Sequence, residues 1–334
     1  MEPDGMVANH NSPGTAAPAA SPPFVGREHE LAALAAGLDA ALGGRTQLFL
    51  LAGEPGIGKT RLAAEIGAAA AARGALVLWG RCCEDSGAPP FWPWAQILRA
   101  RLEASRAPLS GDAEASAGNA LLAQIVPELG DGPRGGGTTV QGERRFELFD
   151  AVVRRLRRAA AERPLVLLLD DLHAADLASL LLLQFLARHL DDAPLLVVGS
   201  YRPADLERSP ERADAIAQVA RVATRLPLTA LGEGAVADLV GATLGPAAAP
   251  QLAAAVFRVT EGNPFFVAEM LQLLLAERAT RGALPADVAR TPLPHGVRAL
   301  LGERLRPLTP ECRALLEAAA VLGRDFDAGT LRAV

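Results

Sequence analysis

Lys59 is the only lysine in a chain of 334 residues; the remaining strongly basic residues are all arginine. It sits in Gly53-Glu54-Pro55-Gly56-Ile57-Gly58-Lys59-Thr60, which matches the phosphate-loop pattern G-x-x-x-x-G-K-[ST] at every specified position. The chemistry accounts for the spacing. Gly53, Gly56 and Gly58 let the backbone fold tightly, so that the N–H groups from Ile57 onward face a phosphate. A helix starting near Lys59 adds the positive end of its dipole. Lys59 is expected to reach the β- and γ-phosphates, and the Thr60 hydroxyl to ligate Mg²⁺. An arginine fork would not replace the lysine, whose compact ammonium fits between phosphates as a point charge.

A second group of candidates follows an apolar run. Leu165–Leu169 ends in Asp170-Asp171. Asp170 is expected to hold Mg²⁺ through water, and Asp171 to orient or deprotonate an attacking water. Phosphoryl transfer asks for positioning and charge stabilisation more than covalent help. An acidic pair after a strand is weak evidence alone; behind a phosphate loop, with a strand between, it completes a nucleotide site.

The elements that must position these residues are legible from hydropathy. Gln47–Ala52 reads as a strand before the glycine loop, and Thr60–Ala72 as an alanine-rich helix after it. Ala75–Gly80, Leu165–Leu169, Leu195–Gly199 and, more weakly, Thr224–Leu228 read as further strands. Continuous rather than alternating hydrophobicity suits central parallel strands buried on both faces. Strands alternating with helices predict a doubly wound α/β sheet of the P-loop kind. Ligands of such sheets bind at the carboxyl ends of strands, where the glycine loop, Asp170-Asp171 and Arg202 all fall. Residues 86–142, with Pro89-Pro90, Trp92-Pro93-Trp94 and a glycine-rich run at 130–137, read as a mobile insertion with helices near 93–104 and 118–126. Gln141–Glu162 reads as a helix with a solvated basic side at Arg154, Arg155, Arg157 and Arg158. Beyond Gly232 only helices are expected, at 233–243, 248–259, 265–279, 296–305 and 310–322.

Composition narrows the function classes. A net charge of −5 argues against nucleic-acid binding driven by bulk charge. Cys82, Cys83 and Cys312 make no disulfide framework, and Cys82 and Cys83 are expected to be ordinary buried thiols. Residues 1–23 carry five prolines and no apolar core of a signal peptide, and read as a disordered leader. Leu177–Leu190 is too short and too polar to span a bilayer. The expected setting is cytoplasmic, without a membrane partner.

Four motifs in order resemble the AAA-like ATPase module of the STAND signal-transduction ATPases, above all the bacterial branch with MalT-like and large LuxR-type transcription regulators. Phe24-Val25-Gly26-Arg27-Glu28 resembles the N-terminal signature that lies against adenine, which implies base contacts at Val25, Gly26 and Arg27. Leu168-Leu169-Asp170-Asp171-Leu172-His173 resembles the magnesium-site strand, with Ala174 where the family often has tryptophan. Tyr201-Arg202-Pro203 resembles the sensor segment, which gives Arg202 the γ-phosphate. Glu261-Gly262-Asn263-Pro264-Phe265-Phe266 resembles the G-x-P motif, whose proline, here Pro264, packs near the base.

The resemblance implies a core over 24–227, a helical lid over 228–290 and the start of a winged-helix-like domain over 291–334. The last of these looks cut short. It implies ATP and ADP with Mg²⁺ as ligands, a closed ADP form and a self-associating ATP form, with slow hydrolysis. An inducer would act through a region after residue 334, and this segment alone would not bind DNA. Two alternatives stay open: the same module in an adenylate cyclase or serine/threonine kinase protein, and a free-standing ATPase resembling origin-recognition proteins.

Overall fold

Parallel strands form because their apolar runs have no polar face to leave in water. In the computed structural model, β1 (Gln47–Ala52), β2 (Leu76–Arg81), β3 (Leu165–Asp170), β4 (Leu195–Tyr201) and β5 (Thr224–Pro227) form one five-stranded sheet. The structure describes residues 23–83, 88–104, 119–129, 143–189, 192–281 and 308–322, with isolated positions between 298 and 329. The strand order is β2-β3-β4-β1-β5, and every pairing is parallel. All six residues of β3 are buried. Leu165, Leu167 and Leu169 point into one core and Val166 and Leu168 into the other, as the two-residue repeat of a strand requires.

Helices cover both faces. On one side lie α1 (Glu28–Leu42) and α2 (Lys59–Ala72), which bury Leu34, Leu38, Leu62 and Ile66 with Phe49 and Leu51 of β1. On the other lie α3 (Trp92–Ala104), α4 (Glu143–Glu162), α5 (Leu177–His189) and α7 (Pro210–Ala220), with the single turn α6 (Pro203–Leu206) directly after β4. This is the doubly wound α/β fold that the hydropathy pattern predicts.

The stretch expected to be a loose insertion is corrected in part. Trp94, Ile97 and Leu98 of α3 and Leu122, Ile125 and Val126 further on are buried in the larger core. Trp94 Nε1 donates to the Ser179 carbonyl at 3.0 Å, which fixes α3 against α5. Pro89-Pro90 precede the first of these segments, and Pro93 lies in the first turn of α3, where proline is tolerated. Of the helix expected near 118–126, residues 119–122 are helical and its end comes earlier than expected, followed by a turn and a 3₁₀ turn at Pro127–Leu129. The glycine-rich run at 130–137 lies outside the described residues, as does the leader as far as residue 22.

On the basic side of α4, Arg154, Arg157 and Arg158 are exposed as expected, while Arg155 is half-buried. Arg154 pairs with Asp150 at 2.8 Å, and Arg157 donates to the His189 carbonyl at 2.7 Å. Cys82 is half-buried against the core, but Cys83 is exposed, so the expectation of buried thiols fails for Cys83; Cys312 is exposed as well. Burial and the nearby Asp171 push the Cys82 thiol far up, which keeps it protonated and unreactive.

After β5 come α8 (Glu233–Leu244), α9 (Ala249–Thr260) and α10 (Pro264–Arg281), which bury Val236, Val240, Val256, Val267 and Leu274 in a third core of their own. Further on, α11 (Pro310–Leu322) is described, while most of 282–307 is not. The helix expected at 296–305 therefore lies largely outside the described residues. Among the described residues no helix is long and apolar enough to cross a membrane.

Candidate functional site

The glycine loop turns sharply between β1 and α2. Gly58 caps α2 at φ 99° and Gly56 sits at φ 76°, both in the left-handed region that disfavours a side chain. A Cβ on Gly56 would stand 2.8 Å from Phe265 Cβ, so the loop also needs glycine there to let α10 approach. The first turn of α2 has no side-chain cap, which leaves its N–H groups directed at the loop's concavity.

Lys59 is buried, and its Nζ donates to the carbonyls of Gly53 at 2.8 Å and Glu54 at 3.0 Å. Burial lowers its pKa, the Arg202 charge lowers it further, and Asp171, Asp170 and Glu54 oppose the shift. Thr60 Oγ1 donates to Asp170 Oδ2 at 2.9 Å. A hydroxyl and a carboxylate so placed are hard oxygen donors of the type Mg²⁺ takes, with water and phosphate completing the shell. Among the described residues there is no cluster of three or more His, Cys, Asp or Glu able to hold a metal alone. The donor set therefore fits a nucleotide-associated magnesium rather than an all-protein cage.

The other oxygen of Asp170 is held by Ser200, whose Oγ donates to Oδ1 at 2.5 Å. The same hydroxyl accepts the Asp171 N–H at 3.0 Å. Ser200 is buried and stands one step past the Leu169–Gly199 pair in the β3–β4 register. Reading the sequence gave it no role. Its signal is a lone small hydroxyl ending the apolar run of β4, level with the acid ending β3.

Asp171 sits at φ 57°, ψ 47°, a left-handed turn that swings its side chain away from the Asp170 side of the strand. Burial and the Asp170 charge raise its carboxyl pKa, and His173, Arg202 and Lys59 pull it back. His173 is buried, with Nδ1 3.8 Å from Asp171 Oδ1 and Nε2 3.6 Å from Asp205 Oδ2. Arg202 stands with Nε 4.0 Å from Asp171 and Nη1 3.6 Å from Asp205.

These residues open onto a cavity of about 390 Å³, within the usual size range of small-molecule sites. Its polar end is Gly56, Ile57, Gly58, Lys59, Thr60, Asp171 and Arg202. Its apolar end is Phe24, Val25, Leu231, Leu239, Pro264 and Leu271. A ligand filling both ends carries a flat apolar group and a polyanion. Val25, Arg27 and Pro264 are among the residues that line the cavity, and Gly26, Gly53 and Asp170 are not. Gly26 packs against α8, where a Cβ would come within 2.6 Å of Ala235 Cβ. Arg27 is buried, and its Nη2 donates to the Ile57 carbonyl at 3.0 Å and the Thr229 carbonyl at 2.5 Å. It therefore braces the glycine loop against the segment leading into α8.

The helices after β5 touch the loop directly. Asn263 Nδ2 donates to the Pro55 carbonyl at 3.2 Å, and the Phe265 N–H donates to the Gly56 carbonyl at 3.1 Å. Asn263 Oδ1 in turn accepts the Phe265 N–H at 3.1 Å.

The AAA ATPase domain family matches residues 23–198, from the cavity's Pro23 edge to the middle of β4. The chain belongs to that family. The chain is 26% identical, over 331 residues, to an uncharacterized protein of Rhizobium meliloti (strain 1021). The alignment takes in 93% of this chain and 31% of the relative, so the chain spans about a third of that protein's length. Among solved structures, the ORC2 protein of Aeropyrum pernix in its ADPNP–ADP complexes superposes with a TM-score of 0.58 at 17% identity, covering 93% of this chain and 79% of that one. A STAND protein with a tetratricopeptide repeat sensor from Pyrococcus horikoshii gives 0.42 at 16% identity, over 92% of this chain and 36% of that one. At these identities the first likeness concerns the fold alone, and the second is too distant to bear on function.

Proposed function

We propose that this AAA ATPase domain binds ATP and ADP with Mg²⁺ and works as a nucleotide-dependent switch that hydrolyses ATP slowly. The observation that carries this reading is the pair of hydrogen bonds from Asn263 and Phe265 to the glycine loop. A ligand that orders the loop acts on the helical lid through those bonds, and one that repels Gly56 or Pro55 releases it. In this reading Lys59 and the loop N–H groups take the phosphates and Thr60 and Asp170 take Mg²⁺. Asp171 orients the attacking water, Arg202 meets the γ-phosphate, and Pro264 with Val25 lies along the base. Bound magnesium would supply charge neutralisation between the phosphate oxygens.

The division into a core over 24–227, a lid over 228–290 and a further domain from 291 belongs to the same proposal. It is supported by the separate apolar core of α8, α9 and α10. The parent protein we have in view is a LuxR-type regulator that receives its inducer through a region following residue 334. The motif resemblance and the length of the relative support that view. Hydrogen exchange over 233–281 and sedimentation, each with ATP and with ADP, test the switch. ADP is expected to protect the lid and keep a monomer, and ATP to loosen it and promote self-association. Equal protection and equal mass in both states would contradict the proposal.

A second reading, an origin-recognition-like ATPase, draws on the fold likeness alone. It requires duplex binding. The net charge of −5 and the engagement of Lys59 with the loop carbonyls favour no sequence-specific binding at about 0.15 M salt. Tight, sequence-selective binding in a salt titration would reverse the choice.

A further inference from the structure

Asp205 occupies the single turn that follows β4 and does not line the cavity. Yet its Oδ2 lies 3.6 Å from Arg202 Nη1 and 3.6 Å from His173 Nε2. Asp171 Oδ1 faces the same two residues from the other side, 4.0 Å from Arg202 Nε and 3.8 Å from His173 Nδ1. Two acids and two bases thus alternate around a closed square. Both of its cavity-lining members, Asp171 and Arg202, lie at the phosphate end.

The square is framed by rigid parts. His173 is buried in the 3₁₀ turn after β3, and Arg212 of α7 donates to its carbonyl at 3.2 Å. Arg202 is the residue between β4 and a helix that begins at Pro203. The side chains of Asp171, Asp205 and Arg202 are each about one third exposed or less. Charges in such partial burial interact more strongly than on an open surface.

We propose that Asp205 is a positioning residue for the phosphate-sensing arginine. Its carboxylate balances Asp171 across Arg202, so that the guanidinium is held between the two acids rather than collapsing onto Asp171. Without that counterweight Arg202 pairs with Asp171 alone. That withdraws the arginine from the terminal phosphate and the carboxylate from water at once. His173, with one ring nitrogen facing each acid at 3.8 and 3.6 Å, stands between the two carboxylates.

This proposal rests on the nucleotide reading above, and its test separates the two. ATP and ADP affinities, with Mg²⁺ present, are measured calorimetrically for the wild type, Asp205→Asn, Asp205→Glu, Arg202→Met and the double variant Asp205→Asn with Arg202→Met. Asp205→Asn keeps the size of the side chain and removes its charge. It is expected to lower the preference for ATP over ADP by about threefold or more, a typical coupling between neighbouring charged groups. Asp205→Glu should restore most of the preference. The double variant should lose no more than Arg202→Met alone, because Asp205 acts through that arginine; a purely structural role would add its loss in full. Wild-type preference in Asp205→Asn, full additivity in the double variant, or a wild type that does not distinguish ATP from ADP would each overturn the proposal while leaving nucleotide binding intact. A wild type that binds neither nucleotide would sink both.

Discussion

The Thr60 hydroxyl donates to Asp170 Oδ2 across 2.9 Å and joins the first turn of α2 to the end of β3. The two residues stand 110 positions apart in sequence. The contact arises because β1 and β3 flank β4 in one parallel sheet, so their carboxyl ends open on the same edge. Ser200, at the end of the intervening β4, holds the second oxygen of the same carboxylate. The orientation of Asp170 is therefore set from both sides before any ligand arrives.

Ser200→Ala should be costly for so small a change. It removes a donor from Asp170 Oδ1 and an acceptor from the Asp171 N–H, both at a buried position. Leaving such groups unsatisfied costs about 1–3 kcal/mol. Urea unfolding is expected to show a lower midpoint with an unchanged slope. A midpoint equal to the wild type would mean that the hydroxyl contributes nothing to holding the acids.

Asp171→Asn should separate stability from turnover. The raised pKa means that the folded state binds the Asp171 proton more readily than the unfolded chain does. Its contribution to stability therefore falls as pH rises from the ordinary value near 3.8 through the raised folded value. Above that window the charged carboxylate opposes folding, and asparagine relieves this. The ligand-free variant is expected to melt no lower than the wild type at neutral pH. Hydrolysis should fall about a hundredfold, the usual share of a positioned base, with ATP affinity within a few-fold. Wild-type phosphate release would remove Asp171 from the water-orienting role.

Asn263→Ala should loosen the lid without touching the sheet. It deletes the bond to the Pro55 carbonyl and the local acceptor for Phe265 N–H. One neutral hydrogen bond is worth about 1 kcal/mol, so amide exchange in α8, α9 and α10 should quicken roughly fivefold. Exchange in β3 should stay as it was. Unchanged lid exchange would show that the loop and the lid are not coupled through Asn263.

Much of the fold can be read from the chain because the decisive signals are local. Four of the five strands are largely apolar runs, β5 with its Thr224-Arg225 being the exception, and the glycine loop is one contiguous octapeptide. The strand order is not local: nothing in the hydropathy places β4 between β1 and β3. For that reason the grip of Ser200 on Asp170, and the Asp205–His173 contact, are invisible until the sheet is assembled. The expected helix at 93–104 is found as α3, but residues 92–104 and 119–129 pack into the core where a mobile insertion was expected. Prolines and glycines mark where a chain turns, and they say little about what is buried between the turns. Trp94 and Val126 are core residues in a stretch read as a mobile insertion. Arg27 shows a third case. The motif puts it at the base, and the structure ties its guanidinium to two main-chain carbonyls while it lines the cavity.

The account stands most directly on calorimetric titration of ATP and of ADP, each with Mg²⁺, into the wild type and Lys59→Ala. Lys59 is the lone ammonium at the polar end of the cavity, and charge-assisted hydrogen bonds contribute about 1.5–3 kcal/mol each. Saturable binding of one nucleotide per chain is expected in the wild type, weakened roughly ten- to a hundredfold in the variant. Equal affinity in the two proteins, or no binding in the wild type, would contradict the assignment of this cavity to nucleotide.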